Sequence, residues 1–84
     1  MDWALYAWLK RGKRRRSILD ELKKSKNPKS TSDICKNLNI AISQASFSLR
    51  ELEEKKLIQC LNPNDKIGKL YEITESGSEI LNGI

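Results

Sequence analysis

Apolar residues along the chain fall at helical spacing through most of its length and in strand-like runs only towards the end. Between positions 13 and 24, Ile18, Leu19 and Leu22 recur at i, i+1 and i+4 on an otherwise charged stretch, which predicts an amphipathic helix. Gly12 marks a break before it. Pro28 disfavours helical geometry at Asn27 and stops the run. Ser30 followed by Asp33 makes a capping-box pattern with Asp in place of Glu or Gln, opening a short helix over about 31–38 with Ile34, Cys35 and Leu38 on its apolar face. Asn39 is suited to end that helix in a left-handed conformation. After a tight turn at 39–42, Ala45, Leu49 and Leu52 fall at i, i+4 and i+7 and predict a longer helix from near Ser43 to about Lys56. Leu57–Leu61 and Lys69–Ile73 read as two strands of a hairpin whose loop carries the turn cluster Asn62-Pro63-Asn64-Asp65. Thr74 caps a last helix over about 75–82, and Asp2 caps a short aromatic one that holds Trp3, Tyr6 and Trp8.

These elements predict one domain over residues 1–84. An aromatic and basic helical extension (1–12) precedes a helical core (13–56), a wing (57–73) and a C-terminal helix (74–84). The fold class is mainly α with a small antiparallel β-hairpin: a three-helix core plus wing, the order of a winged helix-turn-helix. In such a unit the second helix of the pair, here about 42–56, lies in the DNA major groove. The chain's 84 residues suit a single small domain.

Charge sharpens the picture. The net charge is +5, but residues 1–29 carry ten basic and three acidic side chains, and residues 30–84 carry six basic and eight acidic ones. Six of the seven residues in Lys10–Arg16 are basic. A run this dense repels itself, and phosphates are its natural partner because each neutralised phosphate releases a counterion. Membranes and acidic proteins attract such runs as well, and a solvated charged segment is the plain alternative. The chain has no His and two Cys, Cys35 and Cys60, 25 positions apart. No Ser–His or Cys–His pair, no metal site within one chain and no disulfide framework is therefore expected, and the cysteines are expected to fill the core. Gly12, Gly68, Gly77 and Gly83 form no phosphate-binding loop. The apolar run Trp3–Leu9 is far short of a bilayer span and Asp2 precedes it, so neither a membrane segment nor a signal peptide is expected. The expectation is a cytoplasmic domain without catalysis or cofactors.

Three stretches carry a family resemblance. Ser43-Gln44-Ala45-Ser46-Phe47-Ser48-Leu49-Arg50-Glu51-Leu52, continued to Leu57-Ile58, resembles the recognition-helix run of ArsR- and MarR-type winged-helix regulators. Gly68-Lys69-Leu70-Tyr71-Glu72-Ile73-Thr74-Glu75-Ser76-Gly77 resembles the family's "G-R-x-Y-x-L-T-x-x-G" wing exit, and Arg16-Ser17-Ile18-Leu19-Asp20-Glu21-Leu22 its "R-x-x-I-L-x-x-L" opening helix. The match spans residues 16–77 and looks most like the small stand-alone archaeal regulators. It departs from the family at Lys56, where Gly is frequent, and at Phe47, where a basic or polar residue is frequent. Cys35 stands without the paired C-x-C of ArsR-type metal sensors, so the resemblance implies DNA binding without metal sensing.

Helical phase assigns the residues expected to meet a partner. With Ala45, Leu49 and Leu52 inward, Ser43, Phe47 and Arg50 point outward and Gln44 flanks them. Gln44 suits adenine, Arg50 suits guanine or a phosphate, and Ser43 suits a base edge or the backbone. Phe47 has three uses open to it: a thymine methyl, a protein interface, or a neighbouring helix. Ser30 and Thr31, at a helix N-terminus, suit a phosphate as well as a plain cap. Lys66 and Lys69 flank the wing tip, and Arg14, Arg15 and Arg16 supply general attraction. The acidic trio Glu51, Glu53 and Glu54 requires the helix to enter a groove end-on. The expected partner is double-stranded DNA. A homodimer through the N-terminal aromatic helix, the C-terminal helix or both is expected from the clustering of three aromatics in six positions. Two other readings stay open: a winged helix used for protein contact inside a larger assembly, which Phe47 and the acidic stretch favour, and an RNA-binding winged helix.

Overall fold

The computed structural model describes residues 2–83. In chain order the elements are α1 (Trp3–Arg11), α2 (Lys13–Lys24), β1 (Lys29–Ser30), α3 (Thr31–Leu38), α4 (Ile42–Glu54), β2 (Ile58–Cys60), β3 (Leu70–Ile73) and α5 (Glu75–Asn82). Local chemistry sets most boundaries. The side chains of Asp2, Ser30 and Thr74 each accept a backbone N–H three residues on, from Leu5, Asp33 and Gly77. Asn39 ends α3 at φ 55°, with the Ile40 N–H donating to the Cys35 carbonyl. The end of α4 is a Schellman turn: Lys56 N–H donates to Glu53 O at 2.9 Å and Leu57 N–H to Leu52 O at 3.0 Å. Lys56 sits there at φ 62°, a left-handed conformation that glycine takes without strain. Its departure from the family pattern thus carries a backbone cost. Helix α4 starts at Ile42, at the leading bound of the expected 42–56, and Lys55 and Lys56 are its cap rather than its last turn.

The sheet has three strands, not two. It is antiparallel in the order β1-β3-β2, with Ser30 opposite Leu70 and Cys60 opposite Tyr71. The expected hairpin is therefore only part of it. The added strand is the two residues before α3, and it fastens the helix-turn-helix to the wing.

The core is formed by Leu9, Ile18, Leu19, Leu22, Ile34, Ala45, Leu49, Leu52, Leu57, Ile58, Tyr71 and Ile80, all buried. It lies where α2, α3 and α4 meet the sheet, and α1 contributes Leu9. The expected inner face of α4 is buried, and Ser48 joins it. The cysteines do not fill the core. Both are free and half-buried, with Cys60 packed at its edge.

The base of the wing is tied to α5. Thr74 N–H donates to Leu57 O at 3.0 Å, and the Thr74 hydroxyl donates to Lys56 O at 2.8 Å. Gly77 packs into this junction, where a Cβ would collide with the Leu57 carbonyl oxygen. Two glycine exchanges should therefore act in opposite directions. Gly77→Ala overpacks the junction and should lower unfolding free energy by about 1–3 kcal/mol. Lys56→Gly removes the left-handed strain and should raise it by up to about 1 kcal/mol. Urea denaturation of the two variants beside the parent checks both signs.

Candidate nucleic-acid interface

Helix α4 rests on its buried edge, Ala45, Ser48, Leu49 and Leu52. At 3.6 residues per turn its opposite, solvent-facing ridge is Ser43, Phe47, Arg50 and Glu54, flanked towards the wing by Ile42, Ser46 and Glu53. Between that flank, the start of α3 and the wing lies an open concavity of about 440 Å³. Ser30 and Thr31 line one wall, Arg50 and Ser46 another, and Lys66 and Lys69 the third. Five of the expected site residues thus share one surface. Sequence pattern alone missed Ile42, Ser32, Ser46 and Ile67, all of which line the same concavity. Only the helical phase of Ile42 and Ser46 relative to Arg50 would have pointed to any of them.

The wing tip is held by Asn62. Its side-chain amide donates to Asp65 Oδ2 at 2.9 Å and to Gly68 O at 3.1 Å, while its oxygen accepts from Leu70 N–H at 2.8 Å. Gly68 takes φ 74° to close the loop. The loop is thereby fixed with Ile67, 91% exposed, at its tip between Lys66 and Lys69. Tyr71 backs the concavity. Burial pushes its phenol up from the ordinary value of 10.0, with help from neighbouring Cys60 and Glu53 and opposition from Arg50.

On the other side of α4, Phe47 and Arg14 line a shallow depression with Gly12 and Lys13. Gln44 has a second occupation: its Oε1 accepts the Ala41 backbone N–H at 3.2 Å and closes the start of α4. Arg15 and Arg16 depart from expectation. Arg16 lies on the flank of α2 facing α5, in a depression with Asp20 and Leu81. Arg15 is turned into the protein. Its Nε and Nη2 donate to the two Glu51 oxygens at 3.4 Å each and its Nη1 donates to Trp8 O at 2.9 Å. The guanidinium carbon sits 4.2 Å above the Trp8 ring, and Lys55 Nζ approaches the same ring at 5.5 Å. A Cβ at Gly12 would stand 2.5 Å from Arg15 Cδ, so the glycine makes room for this side chain. The arrangement links α1, α2 and α4, and it neutralises the first of the three acidic residues that follow Arg50.

A helix-turn-helix with a three-stranded winged sheet, concave and basic on one side, defines a winged-helix domain. The chain belongs to the winged-helix DNA-binding domain family, whose model matches residues 12–77. Solved structures agree. A mutant of S. aureus MepR bound to an oligodeoxyribonucleotide is 27% identical with a TM-score of 0.77, over 90% of this chain and 56% of that one. A MarR/EmrR family transcriptional regulator from Acinetobacter sp. ADP1 is 25% identical with a TM-score of 0.74, over 92% of this chain and 56% of that one. Lactococcus lactis ZitR in complex with DNA has a TM-score of 0.71 over 82% of this chain and 47% of that one; at 23% identity it bears on the fold alone. The chain spans about half the length of the structures it matches. No curated protein sequence matches it. Among the described residues no helix is long and apolar enough to cross a membrane.

The Arg15 link should be measurable. Arg15→Ala should cost about 1–2 kcal/mol of unfolding free energy, the sum of a largely buried ion pair with long N···O distances and a cation–π contact. In a Trp3→Phe background it should also shift Trp8 emission to the red. A double-mutant cycle with Glu51→Gln should show coupling; additive losses would mean that the pair contributes nothing.

Proposed function

We propose that the chain is a sequence-specific, double-stranded-DNA-binding transcription regulator. Helix α4 enters the major groove by its leading half, and the concavity takes the adjoining phosphate backbone. The observation that carries this reading is the convergence of Ser30, Thr31, Arg50, Lys66 and Lys69 on one open surface beside the exposed ridge of α4. The N-terminal end of α3 favours an anion there, and the lysines of the wing tip line another wall of the same concavity. Family membership supports the reading, as do the similar structures solved with an oligodeoxyribonucleotide or DNA.

Within this reading Ser43, Phe47 and Arg50 face the bases. Arg14 supplies attraction on the far side of α4, whereas Arg15 positions the helix and Arg16 stands apart. Gln44 keeps its amide N–H groups for a base acceptor while its oxygen holds the Ala41 N–H, and makes a two-point contact with adenine only by releasing it. Glu51 is paired with Arg15 and Glu54 lies in the trailing half of the helix, whereas Glu53 lines the concavity beside Arg50, so a phosphate there is held by Arg50, Lys66 and Lys69 against one carboxylate. In a cell without a nucleus, a regulator of this kind acts in the cytoplasm, and the reading requires no cofactor and no catalysis.

Fluorescence anisotropy with duplex DNA tests the central reading. Affinity should fall steeply with salt. Arg14→Ala and Lys66→Ala should each reduce the slope of log K against log salt by about one, and Arg15→Ala should leave it unchanged. Absence of binding at low salt, or tighter binding to structured RNA than to duplex, contradicts it.

We also propose a homodimer through α1. Trp3 is 72% exposed and packs edge-on to Tyr6 at 5.8 Å between ring centroids, an aromatic patch of the kind enriched at interfaces. Sedimentation should give a dimer that Trp3→Glu converts to monomer; a monomeric parent at tens of micromolar (about the level where a specific interface persists) rules it out.

A further inference from the structure

We infer that the leading half of α4 recognises pyrimidine 5-methyl groups, those of thymine, through Ile42 and Phe47, so that apolar contact joins the polar groups of Ser43 and Arg50 in base readout. The inference builds on the DNA-binding reading above. Three observations carry it. First, Ile42 and Phe47 are each 61% exposed, on the first two turns of a helix whose apolar partners elsewhere are buried. Large apolar groups held in water on a rigid helix gain by being covered. Second, part of the hydrogen-bonding capacity of the same turns is already committed: Gln44 gives its oxygen to the Ala41 N–H, which competes with a two-point contact to adenine, and Ser48 is buried, leaving Ser43, Ser46 and Arg50 as the polar groups beside the apolar pair. Third, the two side chains stand on either side of Arg50, among further cations: Ile42 lines the wing-side concavity with Lys66, Lys69 and the single carboxylate of Glu53, and Phe47 lines the depression on the other side with Lys13, Arg14 and the Arg15–Glu51 pair.

The third observation selects the occupant. An exposed helix face that sets two apolar side chains among arginines and lysines is complementary to a ligand that offers apolar groups between anionic strands. The duplex major groove is such a ligand where thymines line its floor, because the thymine C5-methyl is the one apolar group the bases present there. Deoxyuridine keeps every hydrogen-bonding group of thymidine and lacks only that methyl.

The test selects binding duplexes from a random pool with the full chain, then remakes the best one with deoxyuridine at each thymidine. Anisotropy compares the pair. We expect the deoxyuridine duplex to bind more weakly by about fourfold for each methyl contacted, the effect of one buried carbon. Phe47→Ala and Ile42→Ala should shrink that ratio, each towards the value one. Both side chains are exposed, so the variants should keep the parent's thermal midpoint. If a variant loses binding altogether, the comparison on the parent decides by itself. Tight selected binding with equal affinity for both duplexes overturns the inference and leaves the DNA-binding reading standing. Failure to bind any duplex overturns that reading instead.

Discussion

The narrow buried edge of α4 governs the rest of the structure. Ala45 and Leu49 lie fully inside against α2, α3 and the sheet, and Leu52 and Ser48 continue the same edge. A larger residue at position 45 would lift the leading turn away from the body. Because that edge takes up less than half of the helix circumference, the ridge from Ser43 to Arg50 stands in solvent on a rod that is fixed at its base. The Schellman turn at its end delivers Leu57 into the core and sets the wing beside the helix, so the placement of Lys66 and Lys69 is a consequence of how α4 stops.

Electrostatics solves a local problem of the same helix. Three carboxylates in the four positions after Arg50 would repel a phosphate backbone. Glu51 is drawn back onto Arg15, which is held in turn by the Trp8 carbonyl and ring. The basic run 10–16 is thus divided between two tasks. Arg15 organises the domain from within, and Lys13 and Arg14 remain outside beside Phe47. Arg15, with Lys55 over the same Trp8 ring, joins the N-terminal helix to α4 and so gives α1 a mechanical connection to the helix that carries the exposed ridge.

Features written in short stretches of chain were legible in the sequence. The caps at Asp2, Ser30 and Thr74, the left-handed Asn39 and the inner face of α4 all depend on residues within one or two turns. The third strand was not, because Lys29–Ser30 is too short to show alternation and is defined only by Leu70 and Tyr71 across the sheet. The inward turn of Arg15 was hidden for the same reason: Glu51 lies 36 positions away, and a run of like charges gives no sign that one member faces inside. The capping role of Gln44 was not read from the sequence, because Ala41 has no side-chain acceptor to mark it as a cap and only the folded turn brings the Gln44 oxygen onto the Ala41 N–H. Grouping Ser30, Thr31, Arg50, Lys66 and Lys69 was within reach of the family pattern. The apolar share of the surface, Ile42 and Ile67, needed the wing and the helix placed side by side.

The central claim is that the leading end of α4 and the facing wing form the surface that meets the duplex. Backbone amide shifts of the isotopically labelled protein during titration with a selected duplex address it most directly. The account expects the perturbed amides to fall in 31–32, 42–47 and 66–69, with α5 and the first turns of α1 unmoved. Perturbations centred on α1 or α5, with 42–47 unchanged, would contradict it.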